Sequence, residues 1–182
     1  NKDLEGFDDA WDFVRTNPKG ADAWELIILS INYVGGSTQF ARDLKTLQKV
    51  ADMMADGSVF RSKFAGNWQD ELKDIIDKNK DLRCGACGNL VIARIPPMDE
   101  MLDNVNYILR HAEIDGFPTV WSNFKSDIND RDAVNHMIKY VKNNPTEFDD
   151  ISAFEFQYAD IYKNRADVMV GNIKYEFKSW TP

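Results

Sequence analysis

The sequence predicts an α+β protein: a predominantly helical N-terminal half, then a helix and a small β-sheet. Three observations carry this. Apolar residues recur at helical 3/4 spacing through residues 8–112 and again through 130–143. From Ile151 the period shortens to two, as in a strand with one face buried. Gly171-Asn172 then joins two β-rich runs at hairpin spacing. The 182 residues are 43% hydrophobic and 12% aromatic, enough for a packed core and too apolar for a disordered chain.

The elements follow in order. Asp8-Asp9 caps a helix bearing Trp11, Phe13 and Val14, ended by Asn17-Pro18 because proline disfavours helix just before itself. Ala21–Tyr33 carries Trp24, Ile27, Ile28 and Ile31 and stops at Gly35-Gly36. Thr38–Ala55 places Phe40, Leu44, Leu47, Val50 and Met54 on one stripe, stopping at Gly57. Asn67–Asn79 uses Trp68, Leu72, Ile75 and Ile76. Pro96-Pro97 punctuates the chain and divides a helical region, 1–95, from a second region, 96–182. Met98–Ala112 and Asp130–Asn143 are the last helices predicted, with apolar stripes through Met101–Leu109 and Val134–Val141. The strands are expected from Ile151, over Ala166–Val170 and over Ile173–Trp180.

No apolar run exceeds four residues, as in Leu26–Leu29, so no membrane-spanning helix is expected. Asn1–Glu5 has neither the basic stretch nor the apolar run of a secretory leader. Two cysteines make no disulfide framework. The net charge of −8 disfavours a protein that binds nucleic acid with its whole surface. The acidity is uneven. Residues 163–182 hold Lys163, Arg165, Lys174 and Lys178 against Asp167 and Glu176, net +2.

The hairpin carries the candidate chemistry. A two-residue turn pairs Val170 with Ile173, Met169 with Lys174, Val168 with Tyr175 and Asp167 with Glu176. Val168, Val170, Ile173, Tyr175 and Phe177 then share an apolar face, and Asp167, Glu176 and Lys178 the other. Carboxylates opposed across strands lie about 5 Å apart and repel unless a cation or proton sits between them. Hard oxygen ligands meeting at one point suit Mg²⁺ or Mn²⁺. A lysine two residues along stabilises charge developing on a phosphate or orients a water. Two acids, a lysine and a divalent ion are the equipment for phosphodiester hydrolysis. The plainer alternative is a solvated hairpin face in which Lys178 neutralises Glu176.

Asp167, eight intervening residues and Glu176-Phe177-Lys178 resemble the D…ExK signature of the PD-(D/E)xK nuclease superfamily. More narrowly, Ala133–Tyr140, Asn143-Asn144-Pro145, Phe154-Glu155-Phe156, Arg165-Ala166-Asp167 and Tyr175–Trp180 resemble the C-terminal toxin domains of bacterial polymorphic toxins, Rhs-like or contact-dependent. The resemblance covers residues 100–182. It implies a helix packed on a small mixed sheet, with Asp167 and Glu176 holding the metal and Lys178 assisting. It implies a nucleic acid substrate, DNA before RNA, and a cognate immunity protein. It also implies a secreted effector that acts in the cytoplasm of a target bacterium. The superfamily often adds an acid on its first core helix. This chain offers Asp132 there, near Asn135 and His136, and Glu155 on the preceding strand. The superfamily also adds a helix and strand after the ExK strand, whereas this sequence reaches Pro182, so it reads as a fragment of that core.

Other motifs are weaker. Cys84-Gly-Ala-Cys87 resembles half a zinc knuckle, but a tetrahedral site needs two more ligands. His111-Ala112-Glu113 with that pair is similar to the zinc deaminase signature, in reversed order. Gly35-Gly36-Ser37-Thr38 lacks a phosphate loop's lysine, and helix capping explains it. Two alternatives to the nuclease therefore stand beside it: a non-catalytic interaction or delivery module with a degenerate nuclease hairpin, and a zinc-dependent deaminase.

Overall fold

The structure, a computed structural model, describes residues 7–31, 37–85, 98–125, 128–159 and 164–177. It is α+β, mostly helical, with a three-stranded antiparallel sheet near the C-terminus. The helices are α1 (Phe7–Thr16), α2 (Gly20–Ile31), α3 (Ser37–Met54), α4 (Val59–Phe64), α5 (Trp68–Gly85), α6 (Met98–Leu109), α7 (Phe117–Phe124) and α8 (Ile128–Asn143). The strands are β1 (Ile151–Ala159), β2 (Asn164–Val170) and β3 (Ile173–Tyr175), in spatial order β1-β2-β3. The chain divides into two compact units, Asn1–Asn106 and Tyr107–Pro182, at a point inside α6. The prolines at 96 and 97 lie outside the described residues. No helix among those residues is long and apolar enough to cross a membrane.

In the first unit the expected stripes are buried in part: Trp11 of α1 is 47% exposed, and Phe13, Val14, Leu44 and Trp68 are half-buried. Leu47, Val50 and Met54 of α3 join Leu72, Ile75 and Ile76 of α5 in the core, with Met101, Leu102 and Val105 of α6. Burying each such side chain stabilises the fold by roughly 1.5–3 kcal/mol. Two short helices escape the periodicity argument. One is α4, opened by Ser58, whose Oγ accepts the Arg61 N–H at 3.1 Å and donates to the Met53 carbonyl at 2.7 Å. That satisfies a donor the helix start cannot pair by itself. Arg61 then donates to the Met54 carbonyl at 3.1 Å and lies 4.8 Å from the Trp68 ring centre, fixing the α4–α5 corner. α5 runs to Gly85, six residues beyond the expected end.

The second unit packs α7 against both α8 and β1. α7 buries Phe117, Val120, Trp121 and Phe124, an i, i+3, i+4, i+7 set on one face. α8 contributes Val134, Met137, Ile138 and Val141, and the sheet contributes Phe154 and Val168. The turn entering α7 is stitched to β1: the Phe154 N–H donates to the Asp115 carbonyl at 2.8 Å. Gly116 follows with φ +84°, and a Cβ there would stand 1.8 Å from the Phe154 carbonyl oxygen. Only glycine meets both conditions.

Candidate active site at the hairpin

The hairpin forms as its turn dictates. Val170 pairs with Ile173, Met169 with Lys174 and Val168 with Tyr175. Gly171 has φ +56° while Asn172 is not in the positive-φ region, the pattern of a type II′ turn. The apolar face packs inward at its base. Val168 is fully buried, Tyr175 lies 4.7 Å from Phe148, and Phe177 lies 5.3 Å from Tyr140 of α8 (ring centroids). Ile173 departs from the expected core: it is 59% exposed, like the turn residues Gly171 and Asn172 beside it.

The strand expected to run to Trp180 ends as a ladder at Tyr175, and Glu176 and Phe177 follow outside it. Asp167 takes over there. Its Oδ2 accepts the Phe177 N–H at 2.6 Å, so a side chain replaces the next ladder bond. This half-buried contact holds the chain beside β2 after the ladder has ended at Val168 and Tyr175, and exposed Glu176 lies between that last pair and the contact.

The other neighbour of Asp167 is Glu155. Phe154 pairs with Val168 and Phe156 with Ala166, so Glu155 sits across from Asp167 on the other side. By backbone position, then, Asp167 lies between Glu155 of β1 and Glu176 just past β3. Glu155 is also one of two non-glycine residues with positive φ among the described residues, at +48°. A left-handed residue inside a strand costs about 1–2 kcal/mol and turns its side chain out of the strand's alternation. Its carboxylate accepts a hydrogen bond from Asn123 Nδ2 of α7 at 3.3 Å. Asn123 had no motif to mark it. The α7 stripe was its one sequence signal, because the stripe sets which helix side meets β1.

Lys178 lies outside the described residues, as does Cys87. Asp132 and Cys84 fall on helices, α8 and α5, with no side-chain placement described. Asn135 is buried and His136 exposed on α8. His111, the histidine of the deaminase-like string, packs its ring on Tyr107 at 5.0 Å and on Phe154 at 6.1 Å. Loss of solvation, with the Arg110 charge, holds it below the usual imidazole pKa.

Among the described residues, no three His, Cys, Asp or Glu side chains converge closely enough to hold a metal ion together. One Asp167 oxygen is also engaged by Phe177. The residues present thus do not fit a closed cage of three side chains. No family model, curated protein or solved structure matches the chain.

Proposed function

We propose that the second unit is a metal-dependent nuclease that hydrolyses phosphodiester bonds, with DNA as the substrate. The observation that supports this is the placement of three acids at the hairpin: Glu155 at the β1 position that the register sets beside Asp167, and Glu176 just past the end of β3, next to the Phe177 N–H that Asp167 accepts. A hairpin selected for stability alone sets opposite charges across its strands. In this reading Asp167 and Glu176 hold Mg²⁺ or Mn²⁺, Glu155 assists, and Lys178 meets the phosphate charge. When bound, such an ion lowers the pKa of a water and polarises the phosphate. The family resemblance, not the geometry, extends the reading to a toxin domain delivered into a bacterial cytoplasm and blocked by an immunity protein.

A second reading, a binding module with an inactive hairpin, is favoured by the absence of three converging ligands among the described residues. Plasmid cleavage decides between them. Incubated with Mg²⁺, the chain should nick and linearise supercoiled DNA, and EDTA should stop it. Glu176→Ala and Lys178→Ala should each lower the rate by about 100-fold or more, the scale of losing one transition-state contact. Wild-type inactivity, or cleavage that survives both changes, rejects the nuclease.

A further inference from the structure

The first unit holds a cleft of about 720 Å³, within the range of ligand sites. It lies between the start of α2, the end of α3 and the first turns of α5. Its apolar lining, called the floor below, is Leu26, Met54 and the half-buried Trp68, with the charged residues as its rim. Trp68 already attracts a guanidinium, that of Arg61. The rim is charged, and the sign is not balanced. Four carboxylates, Asp22, Glu25, Asp70 and Asp77, face two ammonium groups, Lys19 and Lys73.

Both lysines are already committed to acids of the same cleft. Lys19 Nζ lies 3.7 Å from Asp22, and Lys73 pairs with Asp77. Asp22 and Asp70 sit in the first turns of α2 and α5, where the helix end favours negative charge. Lys73 reports the resulting field: its pKa is raised, first by the hydrogen bond and charge of Asp77, then by Asp70 and Asp74. A cation brought here meets net attraction, and an anion meets repulsion. The apolar floor asks for more than charge, since a small hydrophilic cation would leave it wet.

We infer that this cleft binds a basic peptide segment, its arginines or lysines on the acidic rim and one apolar side chain on the Leu26–Met54–Trp68 floor. The site is separate from the hairpin and independent of its chemistry. It gives the acidic helical unit a partner of defined character.

The test is fluorescence anisotropy with the full chain and a labelled nonapeptide carrying four arginines around a central leucine. Binding should be saturable and should weaken with salt. Glu25→Gln with Asp70→Asn, both exposed positions, should weaken it about tenfold, equivalent to ~1.4 kcal/mol. Asp8→Asn with Asp9→Asn removes the same charge from α1, away from the cleft, and should change the affinity less than about twofold on the same scale. Replacing the peptide's leucine by serine should cost about tenfold, the value of one lost apolar anchor. Equal weakening by the two double variants would reduce the effect to bulk charge and overturn the site. So would equal binding of the serine peptide, equal binding of a glutamate counterpart, competition by spermidine alone at the same affinity, or no saturable binding.

Discussion

The two units treat charge differently. In the helical unit, acids outnumber bases around the α2–α5 cleft, yet cations stand among them: Lys49 pairs with Asp103, Arg61 with Asp56, and Lys73 with Asp77. In the hairpin unit, acids gather instead: the register sets Glu155 of β1 beside Asp167, and Glu176 comes just past the end of β3. The helical pairs are partly or largely exposed and each contributes little, about 0–1 kcal/mol. Their arrangement is still what stability permits. Strain falls among the hairpin acids. Glu155 bends to φ +48°, held by Asn123, while the pairs on both sides of it stay in register.

Three changes sharpen this contrast. The largest effect is expected at Gly116→Ala. The alanine meets a positive φ and the Phe154 carbonyl together, and no rotamer relieves a backbone overlap. A loss of about 3 kcal/mol or more is expected in urea unfolding, from left-handed strain plus displacement of the turn from β1. A loss under about 1 kcal/mol would mean that the turn is not fixed to β1 as described.

Glu155→Gly should act with the opposite sign. Relief of about 1–2 kcal/mol of left-handed strain outweighs about 0.5–1 kcal/mol of glycine entropy. It also removes one acid beside Asp167. Stability should rise by up to about 1 kcal/mol while DNA cleavage falls. A destabilised variant with full activity would show that the bend serves packing and not chemistry.

The smallest effect is a pH slope. His111 is held below its usual pKa by burial, so the unfolded chain binds its proton more readily than the folded one. Its contribution is present above the unfolded value near 6.5 and is lost as the pH falls from there through the folded value. Unfolding midpoints should therefore drop on acidification below about pH 6.5, and His111→Gln should flatten that part of the curve. An unchanged slope would place the pH dependence on other groups.

The long helices and the hairpin were legible in the sequence because each rests on a local rule. Leu47, Val50 and Met54, or Leu72, Ile75 and Ile76, declare a buried face by spacing alone. Gly171-Asn172 sets a register by turn geometry alone. What stayed hidden was short or tertiary. α4 has six residues, too few for a period to stand out. α7 carries an apolar stripe over only eight residues, and its Pro118 is tolerated because at the helix start a missing N–H costs nothing. Alternation could not show where β3 stops, since the Asp167 carboxylate decides it. Nor could alternation show the bend at Glu155, which depends on an asparagine 32 residues away.

The central claim is that Asp167 and Glu176 together hold a divalent ion. Calorimetric titration of the full chain with Mn²⁺ tests it without requiring turnover. The account predicts one saturable site in the wild type, weakened at least about tenfold by Asp167→Asn and by Glu176→Gln, and left in place by Asp132→Asn. Binding that is unchanged in both variants, or absent from the wild type, would contradict it.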